Sequence, residues 1–120
     1  MRILLITGSP LLSWRGRYYA VDTWVKFPVH LAAEVDQLTL WAPVRPADPH
    51  RGPTGDAWVV EPGRMVIEPN LAYNSFASYY RRNLTQFRRS NRAARELIER
   101  HDVVVIRLPS PMISLIARLC

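Results

Sequence analysis

Glycine, arginine and histidine are the residues of this sequence that could serve chemistry, and each must meet the spacing its chemistry requires. A dinucleotide-binding turn needs three close glycines, so that backbone can touch the pyrophosphate and a helix can press on the preceding strand. Gly8 and Gly16 stand eight residues apart with bulky side chains between them, which disfavours NAD binding. A phosphate-binding P-loop needs Gly-Lys-Ser/Thr where a helix begins, yet the only lysine, Lys26, falls inside a helical pattern. Nucleoside triphosphate hydrolysis has no support. The single Cys120 excludes an intrachain disulfide and gives no metal constellation, so neither a metal nor a cofactor is expected. His30, His50 and His101 are scattered and are expected to be exposed or structural.

The net charge of +6 is carried almost wholly by arginine. Such a balance suits an anionic partner, although arginine in place of lysine also follows from the base composition of a gene. Arg81, Arg82, Arg88, Arg89, Arg92 and Arg95 crowd one segment against only Glu96 and Glu99. That basic face would suit lipid headgroups, nucleic-acid phosphates or a partner subunit; the plainer reading is a solvated helix face covering a sheet.

The elements along the chain would position these groups. Arg2 to Thr7 is a short apolar run that breaks off at Gly8-Ser9-Pro10, as a buried strand does. After a loop holding Gly16, Tyr18 to Val35 carries Tyr18, Val21, Val25, Val29, Leu31 and Ala32 near one helical face, with Trp24 and Phe27 beside it. Pro28 should kink or split this helix. Asp36 to Ala42 alternates before Pro43 and reads as a second strand, and the Pro- and Gly-rich Val44 to Ala57 as a surface loop. Trp58 to Glu61 and Met65 to Glu68 flank Pro62-Gly63, the signature of an antiparallel hairpin. From Ser75 to Arg100, Phe76, Tyr80, Leu84, Phe87, Ala94 and Ile98 recur at steps that predict a long helix. Asp102 to Leu108 is a nearly continuous β-branched run, the pattern of a strand buried in a parallel sheet. Strand, loop and helix at the start of a chain predict an α/β fold with the first strand central and its carboxyl end facing a ligand crevice.

With 48% hydrophobic and 22% charged residues and no apolar run near the ~20 residues that span a bilayer, the chain is expected to be soluble. Leu4 to Ile6 is too short for a signal-peptide core, so a cytoplasmic location is expected. At 120 residues the chain is short for a doubly wound sheet, and the apolar segment that restarts at Met112 is cut off at Cys120, which suggests a fragment.

Ile6-Thr7-Gly8-Ser9-Pro10 running into Arg15-Gly16-Arg17-Tyr18, the Asp36 to Pro43 strand, and the Asp102 strand with its Arg107-Leu108-Pro109-Ser110-Pro111 tail occur in an order that resembles the N-terminal domain of bacterial GT-B-fold glycosyltransferases. The resemblance implies a Rossmann-like parallel sheet with flanking helices, the acceptor-side half of a two-domain enzyme whose donor-binding C-terminal domain is absent here. It implies a nucleotide-sugar donor and a carbohydrate or lipid-linked acceptor, with peripheral contact to the inner membrane face, and it disfavours nucleic acid. Gly16 matches the family's glycine-rich loop near the donor diphosphate, with Gly8 and Arg17 beside it, though an adjacent glycine common there is Arg15 or Arg17 here. Tyr18, Tyr19, Asp22, Arg107 and Ser110 are implied on the acceptor side. Many relatives carry a histidine after the strand equivalent to Asp102 to Leu108; Arg107, Ser110 or neither stands near that place, so no catalytic base carries over. A fragment holding half a cleft is expected to be inactive, because transfer needs donor and acceptor held together. The alternative is a small non-catalytic module that binds anionic lipid or nucleic acid through the arginine-rich helix. The core spacing of Phe76, Tyr80, Leu84 and Phe87 weighs against it.

Overall fold

A computed structural model describes residues 1–21, 23–53, 57–60, 63, 65–70, 76–107 and 120. Among the described residues the fold is mixed α/β: a curled, mostly parallel seven-stranded sheet with two α-helices. Strand β1 (Arg2–Thr7) lies between β4 (Gln37–Pro46) and β7 (Val103–Arg107), parallel to both, with Leu5 opposite Leu40 and Val105. The predicted central position of the first strand is therefore correct. Its unbroken apolar run has a physical cause, since both of its faces are covered. Ile3 and Leu5 join a core with Leu38, Leu40 and Ala32, whereas Leu4 and Ile6 pack with Trp41, Ala94 and Leu97. The first core is closed by α1 (Lys26–Glu34) and the second by α2 (Phe76–Glu99). The predicted long helix is thus present almost at its predicted bounds.

Several expectations need correction. The helix predicted over Tyr18 to Val35 begins only at Lys26, after a 3-10 turn at Thr23–Val25. Its first part is instead β3 (Arg17–Ala20), paired antiparallel with β2 (Leu11–Trp14). The turn between them is Arg15-Gly16, both at positive φ (49° and 76°), the two-residue geometry whose twist matches a hairpin. Spacing by three and four misled because Tyr18 and Ala20 also satisfy a period of two. Pro28 does not split α1: it is the third helical residue, where an amide N–H would have no partner within the helix anyway.

The second strand does not stop before Pro43 but runs to Pro46. Pro43 falls between Trp41, the last residue paired with β1, and Val44, the first paired with β2, and such a changeover between neighbours accommodates a proline. The surface loop is correspondingly shorter and partly built. Asp48 accepts hydrogen bonds from the backbone N–H of His50 and Arg51 at 2.8 and 3.0 Å, closing a turn.

The predicted hairpin is absent. β5 (Trp58–Val60) pairs antiparallel with β3, while β6 (Met65–Asn70) pairs parallel with β4 over six positions. Each strand buries its inward residue against a different neighbour, Val60 beside Tyr18 and Met65 beside Leu38. Gly63 does have positive φ, but Glu61, the end of the first predicted hairpin strand, Pro62, the first residue of its turn, and Leu108, the end of the last predicted strand, lie outside the described residues.

Candidate functional site

In an open α/β sheet the carboxyl ends of the strands border the ligand crevice, and β1 ends there at Thr7. Thr7 is buried, and its Oγ1 accepts a hydrogen bond from the Ser9 N–H at 3.1 Å, a local turn that ends the strand and lifts Ser9 out of it. Because Thr7 stands opposite Arg107 in the register of β1 with β7, the last side chain of β7 emerges beside this turn. Arg107 Nη1 donates to Ser9 Oγ at 2.5 Å, and its guanidinium carbon lies 5.5 Å from the Trp24 ring centroid. One arginine is thereby held by a hydroxyl and an aromatic face at the mouth of the crevice, and cation–π contact of this kind contributes about 0.5–1 kcal/mol at an exposed site.

The contacts of this cluster bear on what Ser9 can do. Nucleophilic attack by a serine needs an adjacent base to take its proton. Ser9 is partnered by a cation instead, which suits holding an anionic or hydroxylated group through the guanidinium and the serine hydroxyl.

The expected loop residues divide into two groups. Gly8 follows directly on β1, within the turn that carries Ser9. Gly16 and Arg17 lie at the exposed tip of the β2–β3 hairpin. β2 runs parallel to the end of β4, from Leu11 opposite Val44 to Ser13 opposite Pro46, so this tip projects beyond the carboxyl side of the sheet. A strand and a 3-10 turn separate Gly16 from the first residue of α1, so Gly16 does not stand at that helix's start. A Cβ at Gly16 would meet nothing within 4 Å, so the turn itself asks for the glycine through its φ of 76°.

Tyr18 and Tyr19 are half-buried and point to opposite faces of the hairpin. Tyr18 packs onto the core under α1, whereas Tyr19 meets Trp14 edge-on with ring centroids 6.3 Å apart. Asp22 and Ser110 lie outside the described residues. Of the candidates from sequence, only Gly8 and Arg107 come together at the strand end; Ser9 and Trp24 join them and were not singled out. The signal for Ser9 was its place two residues past a strand end, and for Trp24 there was none, because its position depends on β3 returning the chain to the crevice. His30 and His50 are exposed, and His101 is bonded within the fold at the other end of the sheet.

Among the described residues, no helix is long and apolar enough to cross a membrane. No protein-family model, curated protein or solved structure matches the chain.

Proposed function

We propose that the chain is the acceptor-side domain of a GT-B-type glycosyltransferase, working with a donor-binding domain to transfer a sugar from a nucleotide sugar to an acceptor. The observation that supports this reading most is the Ser9, Trp24 and Arg107 cluster at the carboxyl end of a central parallel strand, the place where open α/β sheets bind ligands. In this reading Arg107 and Ser9 hold hydroxyl or anionic groups of the bound substrate, and the Gly8 turn approaches the donor diphosphate. Gly16 and Arg17 reach toward the facing domain from the hairpin tip.

Amide chemical-shift mapping with uridine diphosphate tests the reading on this chain. Shifts concentrated at Gly8, Ser9, Arg107 and the Trp24 indole, and reduced in Arg107→Gln, are expected. Shifts confined to the far end of the sheet, or none at millimolar ligand, would contradict it.

A second reading is favoured by α2. Arg81, Arg89, Arg92 and Arg95 are exposed and project from one side of the helix, opposite the buried Ala94 and Leu97. This arrangement suits docking on anionic lipid. Sedimentation with phosphatidylglycerol vesicles, compared with an Arg89→Glu/Arg92→Glu variant, separates the two readings: binding lost in the variant supports lipid docking.

A further inference from the structure

A second concave site lies at the opposite end of the sheet, among the amino ends of the strands. It is a cavity of about 270 Å³ lined by Arg2, Gln37, Thr39, Val66, Glu68, Leu97, Arg100 and His101. The fold makes this space through an offset. The end of α2 sits over β1 and β7, where Ala94 and Leu97 meet Leu4, Ile6, Val104 and Ile106. The β4–β6 pair, with Thr39 opposite Val66 and Trp41 opposite Glu68, extends beyond that cover, and Val66 remains 43% exposed.

Its polar lining is ordered by hydrogen bonds. His101 Nδ1 lies 2.5 Å from the Leu97 carbonyl oxygen, which can only accept, so the proton sits on Nδ1. Nε2 is then an acceptor in the neutral ring and takes the hydroxyl proton of Thr39 at 2.7 Å, while Gln37 Nε2 donates to the same Thr39 oxygen at 3.4 Å. Arg100 Nε donates to the Glu96 carbonyl at 3.1 Å, which fixes its guanidinium at the end of the helix. Arg2 is held from the other side by Asp102, at 3.4 Å. Two guanidinium groups on separate elements therefore line the pocket together with the Glu68 carboxylate, Arg2 also meeting Asp102 at its edge, with Val66 and Leu97 as the apolar wall.

We infer that this cavity binds a small hydroxylated oxyanion, a phosphorylated or carboxylated polyol. The guanidinium groups take the oxyanion, Glu68 accepts from a ligand hydroxyl, and Val66 and Leu97 contact the short carbon chain. The volume is just below the usual range for drug-sized ligands, about 300–1,000 Å³, which fits a compact metabolite. The site is separate from the crevice at Ser9 and does not depend on the glycosyltransferase reading.

The test follows the His101 Hε1 proton resonance, assigned by its loss in His101→Gln, at constant ionic strength. Inorganic phosphate, glycerol 3-phosphate, glycerate and glycerol are titrated in turn, the second and third arms distinguishing a phosphate from a carboxylate head. A saturable shift with glycerol 3-phosphate or glycerate, tighter than with inorganic phosphate and absent with glycerol, is expected. Arg100→Gln should weaken binding about tenfold, as loss of a hydrogen bond to a charged group does, whereas Glu68→Gln should tighten inorganic phosphate. Melting temperatures of both variants are measured alongside, and Arg2→Gln replaces Arg100→Gln if the latter is unfolded. No saturable shift with any oxyanion, or binding that neither arginine variant weakens, would overturn the proposal.

Discussion

Gly16 and Gly52 share a left-handed backbone, with φ of 76° and 71°, but have different surroundings. An added Cβ at Gly16 meets open space, whereas one at Gly52 would stand 2.9 Å from the Trp14 ring. Alanine at either site carries the backbone cost of about 1–2 kcal/mol, and only at Gly52 must the indole also move. Urea unfolding should therefore show Gly52→Ala to be the more destabilising; equal losses would contradict the packing of the 48–52 turn onto Trp14. Asp102 offers a test by pH. Its carboxylate accepts from the Arg2 backbone N–H at 2.8 Å and from the Arg2 guanidinium, and these bonds hold its pKa below the usual carboxylate range. The ionised form is the one bound in the folded chain, so its contribution is present at neutral pH and is lost as pH falls through the folded value. Asp102→Asn should melt below wild type at neutral pH, with the gap closing as the pH falls below the ordinary carboxylate range. A gap that stays constant on acidification would show that the charge has no part in it.

Among the elements, β1 has the greatest structural demand, because each of its inward side chains belongs to one of two cores. Leu5→Ala should cost about 2–5 kcal/mol, since the site is enclosed and can collapse only partly. Val103→Ala, at the exposed start of β7, should cost less than about 1 kcal/mol in the same denaturant series. Losses of similar size would contradict the greater demand placed on β1. The same difference explains what could be read from sequence. β1 and α2 were legible because burial on both faces, or along one helical side, leaves an apolar period that only one element satisfies; β7 was legible as a strand from its β-branched run, but it lies at the sheet edge half-buried and not, as expected, fully buried. Tyr18 to Ala20 was ambiguous between periods of two and four, and what decided it was the Arg15-Gly16 turn. β5 and β6 were legible as strands but not in their pairing, which depends on β3 and β4 being already in place. The site was legible only where it rests on strand ends. Arg107 and Gly8 could be found that way, whereas Trp24 arrives through a hairpin that sequence had placed inside a helix.

At the scale of the whole molecule, the two ends of the sheet offer different chemistry. The carboxyl end holds Ser9, Trp24 and Arg107 beneath a projecting hairpin, and the amino end holds the arginine-rimmed cavity around Thr39 and His101. Acceptor and donor must be brought together for glycosyl transfer, and much of the rate comes from that placement. On the proposed reading residues 1–120 supply one wall of such a cleft and alone should transfer no sugar. The central claim is tested most directly by transfer of labelled sugar from a panel of nucleotide sugars, comparing residues 1–120 with the uninterrupted polypeptide that the reading frame encodes around them. The account predicts transfer by a longer polypeptide carrying a second α/β domain, diminished in Arg107→Gln, and none by residues 1–120. A reading frame that encodes no further domain, a longer polypeptide without transfer, or product from residues 1–120 that survives repurification would contradict it.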